Sequence, residues 1–172
     1  MHVELQPNKA KGYLMHSTQS NGESTFSSLN QLIETAKDGQ NGFQAAANDC
    51  SDASLKQIFM QFSRERGRFA LELQSFAEKQ GQESEETGSL SAAVHRGWIN
   101  LRSALSTRDN LAVLEECERG EDYAVQQYLE AVQTNQLGNA AAVVEKQLDQ
   151  VQKAHRQIKN LRNQFEATST AK

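Results

Sequence analysis

LAVLEECERGEDYAVQQYLEAV, residues 111–132, is the stretch on which the reading of this chain turns. Its apolar residues Leu111, Leu114, Val125, Tyr128 and Val132 fall three and four apart, which draws one stripe down one face of a helix. The same stripe passes through Glu118 and Glu121. A shifted frame, Leu114, Cys117, Ala124, Tyr128 and Ala131, releases Glu118 but keeps Glu121. Under either frame a carboxylate faces the core midway along the helix. A buried carboxylate is costly unless a positive or hydrogen-bonding group meets it. What meets Glu121 is therefore the functional question.

The surrounding composition sets the class. A chain of 172 residues is long enough for one domain with a substantial core. Its one proline, Pro7, lies near the start, and the remainder is rich in Ala, Leu, Gln and Glu. That composition predicts an all-α protein. Aromatics at 6% argue against a β-rich core. The formal net charge is −4, with basic residues dispersed rather than clustered, so nucleic acid is not an expected partner. No apolar run reaches the length of a membrane span, and no basic-then-apolar leader opens the chain. A cytoplasmic location is the expectation. Cys50 and Cys117 are isolated and read as buried free thiols.

Outward from the central helix, the periodicity predicts three more long helices. Residues 1–24 are polar and read as a flexible N-terminal tail, followed by a bundle over 25–166 and a frayed tail over 167–172. Helix one spans about Thr25 to Asn48, with Phe26, Leu29, Ile33, Ala36, Phe43, Ala47 and Cys50 in its stripe. Gln40 occupies a seam position between Gly39 and Gly42. Helix two follows an Asp52 N-cap, with Leu55, Phe59, Phe62, Phe69, Leu73 and Phe76 in line and Glu65 or Arg66 at the gap. A polar loop over 81–89 leads to a shorter helix over 90–105 that carries His95 and Trp98. Asp109 caps the central helix. After a turn near Asn135–Asn139, a last helix runs from Ala140 to about Phe165, with Val144, Leu148, Val151, Ile158 and Phe165 in its seam and His155 at the matching polar position.

Short turns after the first and third long helices make antiparallel pairs. The connection of about 30 residues between the second and third is long enough to cross the bundle end to end. The expected architecture is a ferritin-like four-helix bundle with a long crossover that contains a short extra helix.

Counting helix rise from the turns puts Glu121 and His155 at similar depth, and Gln40 and Glu65 likewise. Ferritin-like di-iron proteins place inward Glu and Glu-x-x-His ligands at such a level, and iron or manganese suits those donors. Here the pattern is broken. Arg68 stands where a histidine belongs, Gln152 where a glutamate belongs, and Gln40 is the seam residue of helix one. The metal candidates are Glu121, His155, Glu118 and Glu65. The alternative is a buried polar layer of Gln40, Arg66, Arg68 and Gln152 around Glu121, which then pairs with Arg66, Arg68 or His155.

Four motifs carry a family resemblance: DGQNGF at 38–43, HRGW at 95–98, ECERGED at 116–122 and AHRQIKNLR at 154–162. Over about residues 26–163 the chain resembles a bacterial ferritin-like family known as a four-helix-bundle domain of unknown function. The resemblance implies the fold and no particular chemistry, and it implies a glutamate near Gln40 in related members.

The expectation is a non-enzymatic bundle without a cofactor, whose metal centre has given way to a polar network, in a structural, assembly or stress-associated role. The alternative is a reduced iron or manganese site that stores iron or handles oxygen or peroxide. Val113 and Val143 read as outward-facing, which suggests a homo-oligomer or an unidentified protein partner.

Overall fold

The computed structural model describes residues 10–79, 109–134 and 137–170, with side chains over 25–169 of these. The described chain is helical, with no strand: α1 Ala10–Asp49, α2 Ala53–Lys79, α3 Asn110–Gln133, a 3₁₀ turn Gly138–Ala140 and α4 Ala141–Thr170. The loop over 81–89 and the short helix expected over 90–105 lie outside the described residues.

Two boundaries differ from expectation. α1 starts at Ala10, so residues 10–24 continue the helix rather than forming a loose tail. α4 likewise continues to Thr170. The physical reason is the same at both ends. No proline interrupts either stretch, and extending an existing helix by one residue costs far less than nucleating one.

The internal boundaries follow local chemistry. Asp52 Oδ1 accepts from the Ser54 and Leu55 backbone N–H groups at 2.8 and 2.9 Å, which satisfies orphan donors at the start of α2. Asp109 does the same for Leu111 at 3.0 Å. Between α3 and α4 the chain reverses through Gly138, whose φ of 50° is a conformation that glycine adopts without strain. Buried Leu137 and Ala140 anchor this reversal in the core.

α1 packs on α2 and α3, and α4 packs on α3 and α2, so α2 and α3 occupy diagonal corners. Asn110 Oδ1 accepts from Ser51 N–H at 3.0 Å and from its hydroxyl at 3.1 Å. The α1–α2 turn and the start of α3 therefore share one end of the bundle. α2 runs away from that end for 27 residues, about 40 Å, so Lys79 and Asn110 lie at opposite ends.

The core divides into two apolar clusters. One gathers Leu29, Ile33, Phe69, Leu73, Tyr128 and Val144 toward the α3–α4 turn. The other gathers Phe43, Phe59, Phe62, Leu114, Cys117 and Ile158 toward the α1–α2 turn. On α3 the shifted frame holds: Leu114, Cys117, Ala124, Tyr128 and Ala131 are all buried, while Leu111, Val125 and Val132 are only partly so. Val113 is fully buried and Val143 packs against the first cluster, which removes the outward apolar face expected from them. Among the described residues no helix is long and apolar enough to cross a membrane.

Candidate functional site

Between the two clusters sits a charge pair. Arg66 Nη2 donates to Glu121 Oε2 at 2.5 Å, with both side chains 1% exposed. The pair spans the diagonal from α2 to α3. Of the three partners left open for Glu121 by the sequence, the structure selects Arg66.

Arg66 reaches the centre because α1 makes room. A Cβ at Gly39 would lie 3.1 Å from Arg66 Cγ and 3.2 Å from Cδ. The guanidinium then passes the rings of Phe43 and Phe69, 5.9 and 5.2 Å from their centroids. Such contacts suit a weakly hydrated, delocalised cation. The helices exchange notches: Gly39 on α1 receives Arg66, and Gly67 on α2 receives the Gln40 carboxamide, 3.0 Å from a Cβ built there. Ser63 Oγ donates to Gln40 O at 2.9 Å and fastens the same crossing.

The pair is left incompletely satisfied. Arg66 Nε and Nη1 and Glu121 Oε1 are buried without a hydrogen-bond partner. Burial raises the pKa of Glu121, while Arg66, by charge and by its hydrogen bond, and His155 more weakly, pull it down. Cys117, one turn before Glu121, has its thiol pushed well up by burial and then by Glu121 and Glu116. Cys50 is also raised, chiefly by burial. Both cysteines are free and buried, and thiols so raised are poor nucleophiles at neutral pH.

The remaining candidates disperse into separate contacts. His155 Nε2 lies 2.7 Å from Asp122 Oδ1, off the line of a hydrogen bond, which sets it level with Glu121 but at the edge of the α3–α4 seam. Glu118 accepts from Arg162 Nε and Nη2 at 2.8 and 3.2 Å. Glu65 is half-buried beside Arg68 at 3.9 Å. Among the described residues no three His, Cys, Asp or Glu side chains converge on a point that would hold a metal ion.

The expected polar layer is corrected in its membership. Gln40 is exposed, because its backbone rather than its side chain follows the seam while the carboxamide covers Gly67 from outside. Arg68, two positions after Arg66, points to solvent and lies over the Phe69 ring at 5.9 Å. Gln152 is half-buried. Of the four residues only Arg66 is a core group.

A second polar construction escaped the sequence reading. Tyr128 donates to Gln147 Oε1 at 2.9 Å, and Gln147 Nε2 donates to Glu72 Oε2 at 2.9 Å. The signal lay in the frame of α4: Val144, Gln147, Val151, Ala154 and Ile158 are the buried set, where Leu148 and His155 were expected. Glu116 is buried as well, paired with Arg119.

A family model described as a domain of unknown function, DUF2383, matches residues 24–134. The chain belongs to the DUF2383 family. The match takes in α2, α3 and the side-chain-described part of α1, and so both partners of the Arg66–Glu121 pair. No curated protein matches this DUF2383 chain.

Proposed function

We propose that this DUF2383 chain is a non-enzymatic, ferritin-like four-helix bundle in which a side chain of the protein supplies the cation that a metal centre would supply. Its role is structural or in assembly. The observation that carries the reading is the Arg66 guanidinium bound to Glu121 at the centre of the core. An arginine stays protonated and cannot ligate metal. It fills the place beside the most buried carboxylate, and the other candidate donors are turned into pairs with Arg162, Asp122 and Arg68. The ferritin-like topology is supported by the parallel run of α2 and α3 on diagonal corners and by the opposite placement of Lys79 and Asn110.

One observation favours the alternative, a reduced iron or manganese site on Glu121, Glu118, His155 and Glu65. Glu121 Oε1 and His155 Nε2 are buried without hydrogen bonds. Anaerobic titration of metal-stripped protein with ferrous iron and manganese separates the readings, with Glu121→Ala and His155→Ala measured alongside. The expected result is no stoichiometric binding, with Glu121→Ala less stable. Stoichiometric binding that both variants lose would overturn the proposal and establish the metal site.

A further inference from the structure

Arg66 Nε and Nη1 and Glu121 Oε1 are buried and meet no hydrogen-bond partner in the protein. Nη1 shares a carbon with Nη2, and Oε1 shares one with Oε2, while Nη2 and Oε2 stand 2.5 Å apart. A spare donor and a spare acceptor therefore lie one covalent angle to either side of a single contact. Buried polar groups that the chain itself does not satisfy are the usual partners of internal water.

We propose that the Arg66–Glu121 pair is a binding site for an internal water, which accepts from the Arg66 guanidinium and donates to Glu121 Oε1. The inference rests on the reading of this centre as free of metal.

The chemistry of the pair selects the ligand. The two charges cancel as a whole, but each end keeps its own sign. An anion accepting from Nη1 would lie against the Glu121 carboxylate, and a metal cation on Oε1 would lie against the guanidinium. In a core that screens charge poorly, both are opposed. An uncharged molecule that donates and accepts serves both ends, and water does so with one heavy atom. The flanking groups leave these N–H groups to it. Phe43 and Phe69, whose ring centroids are 5.9 and 5.2 Å from the guanidinium carbon, attract the cation but carry no acceptor atom. On α1, Gly39 presents backbone to the Arg66 stem, where a Cβ would stand 3.5 Å from Nε. The Tyr128–Gln147–Glu72 contacts make no such demand, because each group there meets another side chain.

Water–protein NOE and ROE spectroscopy on the full, metal-stripped chain labelled with nitrogen-15 arginine tests the site. A cross-peak from water to the Arg66 guanidinium N–H groups is expected, with the opposite NOE and ROE signs of a molecule that tumbles with the protein. Oxygen-17 relaxation dispersion is expected to count at least one fewer long-lived water in the Arg66→Met, Glu121→Leu double variant, which removes both charges together and so leaves neither buried alone. An Arg66 signal that shows no water cross-peak overturns the proposal, as does a water count that the folded double variant leaves unchanged. Titration of the same sample with ferrous iron and manganese separates this failure from that of the metal-free reading. Stoichiometric metal binding overturns that reading and the water site with it, whereas a missing cross-peak without metal binding overturns the water site alone.

Discussion

Arg66 and Glu121 meet at the centre of the bundle with three of their polar atoms lacking a hydrogen bond. Two turns along α3, Tyr128, Gln147 and Glu72 form a relay in which each group finds a partner and whose last member touches solvent. The difference follows from the groups. A carboxamide both donates and accepts, so one neighbour on each side satisfies much of it. A guanidinium carries five N–H donors and no acceptor, and one carboxylate cannot occupy them. The relay, with its one carboxylate at the solvent edge, therefore belongs with the forces that hold the fold. The charged pair fixes which residues meet across the diagonal, and contributes little net stability once its desolvation is counted.

The largest expected effect breaks the charged pair from one side. Arg66→Ala leaves Glu121 buried and alone, and is expected to destabilise the protein by about 3–5 kcal/mol in urea unfolding at neutral pH. Removing both charges with Arg66→Met and Glu121→Leu together is expected to return stability to wild type or exceed it by about 1–4 kcal/mol. A double variant as unstable as Arg66→Ala would show instead that the pair is a net stabiliser.

The relay is tested by Tyr128→Phe, which removes a donor from buried Gln147 while Glu72 still holds its other end. The expected loss is about 1–2 kcal/mol, and it should add to the loss from Arg66→Ala, because the two constructions share no hydrogen bond. Strong coupling between the two substitutions would make them one network and dissolve the distinction.

How far the sequence went is seen at particular residues. The stripes of α1 and α2 were legible because a run of Leu, Ile and Phe at three-four spacing has one way to be buried. Glu121 was legible for the same reason: both frames of α3 put it inside. The frame of α4 was not, because Leu148 looks more apolar than Gln147. A carboxamide with Tyr128 on one side and Glu72 on the other is tolerated where a leucine would be expected, and no local pattern shows a partner 75 residues away. The choice among Arg66, Arg68 and His155 was equally hidden, since residues two apart on a helix leave on different faces and the phase of α2 is set only by packing. In the sequence Gly39 stands out only as a flank of Gln40, with Gly42 on the other side, and Gly67 does not stand out at all. Their purpose, an exchange of notches, exists only once the two helices are laid side by side.

That exchange predicts a change of sign. Gly39→Ala improves helix propensity by about 1 kcal/mol, but its new Cβ presses on the stem of Arg66, whose head is tied to Glu121 and cannot swing away. A net loss of about 1 kcal/mol is expected in the wild type. In an Arg66→Ala background the obstruction is gone, and the same substitution should become stabilising by about 1 kcal/mol. A Gly39→Ala change of the same sign and size in both backgrounds would break the link between the notch and the pair.

A third kind of acid completes the comparison. Asp38, half-buried on α1 one turn after Glu34, has no ion pair or hydrogen bond among the described residues. Burial, with Glu34 second, raises its pKa from 3.8 to about 7. The folded state therefore holds this proton over a range in which the unfolded chain has lost it. Stability from Asp38 is fully present below about pH 4 and falls as the pH rises toward 7, after which it is flat. Asp38→Asn removes the titration, so the variant's advantage over wild type should grow between those limits and level off above them. Its plateau is on the order of 1 kcal/mol once the screening of a partly solvated group is allowed for. Glu121 is shifted in the same direction but is present in both proteins, so the difference curve isolates Asp38. A difference that stays constant across the range would mean that Asp38 ionises as freely in the bundle as in the unfolded chain. The unpaired acid would then cost the fold nothing, and only the paired one would carry a penalty.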